Sequence, residues 1–149
     1  MSSLVKIARR LRGLATRLSW LPPALTRLTL GVVFMGTGWG KLHSLDKVTE
    51  FFAQLHIPAP SFNAALVATS ELVCGAFLLV GLFARLAAIP LIATMCVALA
   101  TAKSGDIEGI RDLFGQQEFN YLVLLLWIVL YGAGTVSADH LLERRLSRA

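Results

Sequence analysis

One carboxylate stands in the middle of an apolar run. In "LVATSELVCGAFLLVGL", residues 66 to 82, Glu71 is the sole charge. A carboxylate at the centre of a membrane helix costs on the order of 3 kcal/mol on insertion scales, so such a group faces protein and takes a partner. Three chemistries suit it: an ion pair or hydrogen bond that fixes packing, a proton relay, or a polar contact for a ligand such as a quinone headgroup. Two lysines stand where they answer it. Lys41 closes the apolar run before Glu71, and Lys103 closes the run after it. A lysine stem normally carries its ammonium to water, but it turns inward when a carboxylate waits there. Glu118, opening the last apolar run, is the further acid. Glu71, Lys41, Lys103 and Glu118 are therefore read as a buried polar site.

Trp127 and Tyr131 lie within the last apolar run. Their indole and hydroxyl suit a ring-shaped ligand, and suit packing equally. Trp20, Trp39 and Tyr121 fall near run boundaries and read as interface anchors. Cys74 and Cys96 sit inside apolar runs, where cysteine is usually a small inert hydrophobe. Neither has the cationic surroundings of a reactive thiolate, so no redox role is assigned to a disulfide between them. His43 and His56, with Asp46, Glu50 or Glu118, lack ligand-like spacing, and no metal site is expected. "GAGTVSAD", residues 132 to 139, superficially resembles a dinucleotide fingerprint, but no strand precedes it. Gly134 is read as the end of the last span and Ser137 as the cap of a short helix, with Asp139 favourable in its first turn.

The elements that must hold these groups follow from composition. The chain has 149 residues, 56% hydrophobic and 15% charged, more apolar than a soluble domain. Four apolar segments, about 24–42, 62–83, 86–102 and 118–136, approach the roughly 20 residues that a helix needs to cross hydrocarbon. Helices are the default there, because lipid offers the backbone no hydrogen bonds. The expectation is all-α: an integral membrane four-helix bundle. The spacing Gly36-x-x-x-Gly40 on the first span suggests close helix packing, and the Glu71 stripe with Ala64, Ala68, Cys74 and Gly75 suggests the face it meets.

The net charge of +5 excludes little by itself. Its placement argues against a nucleic-acid face, since most arginines lie in the first 27 and last 6 residues, outside the apolar runs. Four spans put both termini on one side. Lys6, Arg9, Arg10, Arg12, Arg17, Arg27, Arg85, Arg144, Arg145 and Arg148 share that side, which the positive-inside rule makes cytoplasmic. The first 20 residues lack the unbroken apolar core of a cleavable signal. Instead Leu4, Ile7, Leu11, Leu14 and Leu18 line one helical face and basic residues the other, an amphipathic interfacial helix or a basic tail that sets topology. Pro22-Pro23 is expected to break the chain before the first span. Loop 43–61 carries Leu45, Val48, Phe51, Phe52 and Leu55 at helical spacing, a second amphipathic helix that Pro58 and Pro60 terminate. Leu141, Leu142 and Leu146 would touch membrane, with Arg144, Arg145 and Arg148 at headgroups. The organisation expected is a basic segment 1–23, a bundle 24–140 and a basic tail 141–149.

Ordered along the chain stand Arg27; Phe34, Gly38 and Lys41 in "FMGTGWGKL"; "HIPAP" with Pro58 and Pro60; Glu71, Gly75, Gly81 and Arg85 in "ELVCGAFLLVGLFAR"; and Gly134, Ser137 and Asp139 in "GAGTVSAD". This order and spacing resemble the DoxX family over residues 25 to 140. The resemblance implies a four-helix bacterial inner-membrane protein associated with redox systems, in a family that includes a small subunit of a thiosulfate:quinone oxidoreductase and partners of thiol or superoxide chemistry. Many members carry a histidine near the outer end of span three, where this chain has Thr101-Ala102-Lys103, so no role resting on that imidazole is transferred. The functional expectation is a redox-associated subunit binding a quinone-like ligand or an oxidoreductase partner. A non-catalytic anchor for a partner complex and a small-solute or metal-handling permease are the alternatives.

Overall fold

The computed structural model describes residues 2–146, without the side chains of residues 2–4 and 6. The Arg148 expectation, and those on the Leu4 and Lys6 side chains, lie outside the described residues. The described residues are all-α, with no strand.

Helix α1 (Ser2–Arg17) is amphipathic, and its apolar residues Ile7, Leu11 and Leu14 are exposed, as is Leu18 just after it. Helix α2 (Leu21–Leu42) follows across a 43° bend. The proline pair does not precede α2 but sits in its first turn, where the missing N–H groups have no partner to lose. Helix α3 (Leu45–Gln54) half-buries Leu45, Val48 and Phe52, packs against α4 and leaves Phe51 exposed. Helix α4 (Pro60–Val80) starts on Pro60 at its first position, and the carbonyl of Pro58 accepts a hydrogen bond from Asn63 at 2.6 Å. It ends on Gly81 in the left-handed region (φ 73°), where the Leu82 N–H donates back to the Phe77 carbonyl. Helix α5 (Ala84–Ala100) and a 3-10 turn (Ser104–Asp106) lead to the short α6 (Ile110–Gly115). Helix α7 (Gln117–Tyr131) stops at Gly132 (φ 83°), so the apolar run to Val136 is not one helix and Gly134 is not its end. Helix α8 (Ala138–Leu146) closes the described chain.

Helix α2 packs along α4 and α5 along α7; contacts between α4 and α5 join the pairs. The core between them holds Leu30, Phe34, Leu78, Leu91, Leu125 and Ile128. Outward faces are apolar too: Val32, Leu66, Val80, Leu86, Ile89 and Leu130 are exposed. Among the described residues, α4 alone is by length and composition long and apolar enough to cross a membrane, and α1 with α2 qualifies only as a bent pair. Helices α5 (17 residues) and α7 (15 residues) are shorter.

The α2–α4 contact is made by glycines, but not those of the Gly36–Gly40 spacing. A Cβ on Gly36 or Gly40 would meet nothing within 4 Å. A Cβ on Gly31 would fall 2.8 Å from the Leu79 amide nitrogen, one on Gly38 2.8 Å from the Ala68 carbonyl oxygen, and one on Gly75 2.6 Å from the Met35 amide nitrogen. These atoms are backbone and cannot swing aside. Overpacking of this kind costs about 1–3 kcal/mol. Alanine at an open helical glycine instead gains up to ~1 kcal/mol. Gly38→Ala and Gly75→Ala are therefore expected to lower the thermal unfolding midpoint in mild detergent, while Gly36→Ala and Gly40→Ala leave it unchanged or raise it. Equal loss in all four variants would mean that α2 and α4 are not packed in this register.

Candidate functional site

Gly38 presses α2 onto α4 beside Leu72 and Ala68. Lys41 stands three residues further along the same helical face, and Glu71 is the neighbour of Leu72. On the other side Gly75, one turn past Glu71, seats α4 on Phe34 and Met35. Close packing thus brackets the polar pair. Lys41 Nζ donates to Glu71 Oε1 at 2.6 Å. Glu71 is 1% exposed, and the Lys41 side chain is 32% exposed. The Lys41 side chain keeps contact with the surroundings while the carboxylate has almost none. The second oxygen, Glu71 Oε2, is buried without a hydrogen-bond partner among the described residues. An unmet buried acceptor of this kind costs roughly 1–3 kcal/mol, more when charged.

The other acid and base proposed for the site lie elsewhere. Lys103, half-buried, faces the exposed Asp106 at 3.7 Å within its own turn. Glu118 is half-buried in the first turn of α7, where a carboxylate suits the helix N-terminus, and makes no ion pair among the described residues. What α7 does bring near α2 is Tyr121, whose ring meets Phe34 edge-on at 5.9 Å. Trp127 and Tyr131 stack on each other at 5.6 Å. Tyr131 is 72% exposed at the Arg85 end of the bundle, so the pair of rings is not gathered around Glu71. His43 Nδ1 lies 2.9 Å from the Trp39 carbonyl oxygen, which accepts from it in the Nδ1–H tautomer, and the imidazole packs on the Trp39 ring. No group of three or more His, Cys, Asp and Glu that could hold a metal occurs among the described residues. Cys74 is half-buried against the core and Cys96 is exposed; both are free thiols.

A second polar cluster, which the residue types alone did not assemble, sits at the opposite end of α2. Arg27 and Lys41 are 41 − 27 = 14 residues apart on α2, about 21 Å along its axis. Arg27 is 5% exposed, and its Nη2 donates to the Val136 carbonyl at 2.9 Å. Its guanidinium lies against Gly81, where no side chain fits. Asp139 accepts from the Phe83 N–H at 2.6 Å and from the Ala84 N–H at 3.0 Å, and its own N–H donates to the Gly81 carbonyl at 2.9 Å. So Asp139 caps α5 across the fold as well as opening α8. A sequence signal existed: Phe83, at the N-cap of α5, supplies no capping side chain, so the cap must come from elsewhere. Ser137 Oγ donates to the Gly134 carbonyl at 2.6 Å and accepts from the His140 N–H at 3.2 Å, capping α8. Gly134 itself (φ 81°) rests on Pro23. Arg85 lies against Gly132, with a long 3.5 Å contact to the Leu130 carbonyl.

The chain is thus a small all-α protein, apolar outside, with an ion pair buried between its two closest helices. The DoxX family model matches residues 23–104, which include Arg27, Lys41, Glu71, Gly81 and Arg85. An uncharacterized membrane protein of Mycobacterium tuberculosis is 31% identical over 137 residues, covering 83% of this chain and 84% of the relative. The Bacillus subtilis protein named "Putative oxidoreductase CatD" is 30% identical over 111 residues, 74% of this chain and 78% of its own. No solved structure matches. The chain belongs to the DoxX family, and it is a membrane protein.

Two outcomes follow from this geometry. Breaking a buried pair from one side strands a charge at a cost of about 3–5 kcal/mol, more than removing both charges. Lys41→Met is expected to destabilise more than Glu71→Gln, because glutamine keeps a hydrogen-bonding head, and Lys41→Met/Glu71→Gln is expected to recover part of the loss. Unfolding across this cycle measures the coupling, and strict additivity would show that the residues do not touch. At the other end, Asp139→Ala removes the cap of α5 and is expected to cost about 1–2 kcal/mol, with Asp139→Asn costing less. Amide exchange at residues 83–86 should quicken in the alanine variant. Unchanged exchange there would show that the carboxylate does not hold α5.

Proposed function

We propose that this DoxX protein is a redox-associated subunit of the bacterial inner membrane, with residues 24–140 forming four spans between a basic interfacial segment, 1–23, and a basic tail, 141–149. Both termini face the cytoplasm in this reading. The uncovered apolar faces of α2, α4, α5 and α7 support it, as does the basic flank of α1. At 15 residues, α7 spans about 22 Å. Residues 132–136 complete its path, and modest thinning of the bilayer absorbs the remaining mismatch.

The observation that carries the functional reading is the half-satisfied Glu71 carboxylate. Lys41 holds Oε1, and Oε2 is left as a buried acceptor near the outer end of the bundle. A ligand hydroxyl of the quinol type would donate to Oε2 and pass its proton to Glu71 as it is oxidised. Its electrons would go to the redox centre of a partner. Lys41, part-exposed, would hold the carboxylate in place, and an ammonium proton that it released to the surroundings would be replaced by the one taken up on Glu71. The relative named as an oxidoreductase supports the redox setting. A second reading, a non-catalytic anchor, draws support from the tight glycine packing around the same pair, which an anchor needs as much as a site does.

Purification in mild detergent with an oxidoreductase partner, followed by quinone-dependent electron transfer in the complex, separates the two. The expected result is that Glu71→Gln keeps the complex intact but lowers electron transfer at least tenfold. A fully active Glu71→Gln complex would favour the anchor. Reporter fusions at residues 45 and 108 are expected to read as outside; a cytoplasmic signal there would overturn the topology.

A further inference from the structure

A cleft of about 510 Å³ opens between the start of α5, the end of α7 and α8, at the end of the bundle away from Glu71. Its wall is of two kinds. Phe83, Leu86, Leu142 and Leu146 give it an apolar side, and all four are exposed. Arg85, Thr135, His140 and Glu143 give it a polar side. Arg85 makes no ion pair among the described residues, and its single hydrogen bond is the long one to Leu130. Glu143 makes no ion pair among them either. Asp139, also on the wall, is already held by the Phe83 and Ala84 amides. One cation and one carboxylate, both without an ionic partner, therefore share a cleft whose apolar side continues into the outer faces of α5 and α7 through Ile89 and Leu130.

We infer that this cleft binds a membrane aminophospholipid. Arg85 takes the phosphate, since a guanidinium offers a phosphodiester two parallel donors. Glu143 takes the primary ammonium of an ethanolamine headgroup. The acyl chains run along Leu86, Leu142 and Leu146. A soluble anion would use Arg85 but leave the apolar side and Glu143 idle, and a partner peptide has no counterpart to a wall that runs out onto lipid-facing helix. The inference needs the cleft to lie at a leaflet surface, as the four-span reading has it, but not the redox role of Glu71.

The test is native mass spectrometry of the full chain in mild detergent with phosphatidylethanolamine, phosphatidylglycerol, phosphatidylcholine or inorganic phosphate added. Phosphatidylethanolamine is expected to be retained best. Arg85→Gln should lower its retention at least tenfold. Glu143→Gln should keep phospholipid binding but remove the preference for phosphatidylethanolamine over phosphatidylcholine, whose quaternary ammonium donates no hydrogen bond. Because Arg85 lies against Gly132, Leu142→Ser on the exposed face of α8 serves as a second variant, expected to lose about threefold with an unchanged unfolding midpoint. Lys41→Met/Glu71→Gln should retain lipid as the parent does, which keeps this result apart from the redox reading. Indifference to Arg85→Gln and Leu142→Ser together, equal retention of the three lipids, or displacement by equimolar phosphate would each overturn the inference.

Discussion

The contact of α2 with α4 is a contact of backbone on backbone, and the rest of the fold is arranged around it. Among apolar surroundings two helices gain little by hiding side chains from each other, because lipid is as apolar as leucine. What remains is close van der Waals fit and polar bonding. Gly31, Gly38 and Gly75 supply the fit, since a Cβ at any of the three would run into the facing helix's backbone. Lys41 and Glu71 supply the bond at the same crossing. Neither works alone. Without the glycines the ammonium and carboxylate would be held apart. Without the pair the glycine faces would have no reason to prefer this register over one a turn away.

The other end of the bundle solves a different problem with similar means. The turn from α4 to α5 is tight and lacks a cap of its own, with Gly81 and Phe83 both at positive φ. The C-terminal segment folds back over it. Asp139 satisfies the exposed amides, Arg27 reaches up from α2 to bond the same segment, and Gly81 leaves room for its guanidinium. Four helices are tied at one point by residues far apart in the chain. Arg27 Nε and Nη1 remain buried without partners among the described residues.

Periodicity and length made the helical class legible, along with the amphipathic faces of α1 and α3 and the inward stripe of α4. Those signals depend on one element at a time. Signals that depend on two elements were read less well. Gly36 and Gly40 have the spacing of a packing motif, yet face open space, because the rotation of α2 is set by its partner and not by its own glycines. Lys103 and Glu118 have the right chemistry for Glu71, but the turn after α5 gives Lys103 a nearer acid, and α7 presents Tyr121 to α2 instead. The end of α7 was misplaced because Val136 continues the hydropathy of the run, whereas Gly132 ends the helix by conformation. Asp139 was legible as a first-turn acid; that it serves a second helix is a property of the topology.

The asymmetry within the ion pair is the feature that joins architecture to the proposed chemistry. A pair kept only for packing is most stable when both carboxylate oxygens are met, since a half-met group in a low dielectric is worse than an apolar replacement. Here one oxygen is met at 2.6 Å and the other is not, although Ser70 and Asn63 lie on the same helix and α2 offers Thr37. Thr37 instead returns its hydroxyl to the Phe34 carbonyl within its own helix, and Asn63 bonds the carbonyl of Pro58. Neither of these groups turns to Oε2, which has no hydrogen-bond partner among the described residues. The Lys41 side chain is part-exposed beside it, so the proposed proton step would cross one hydrogen bond, to an amine that has first released a proton to the surroundings. A bond kept only for packing gains nothing from that connection, whereas the proposed proton exchange would use it.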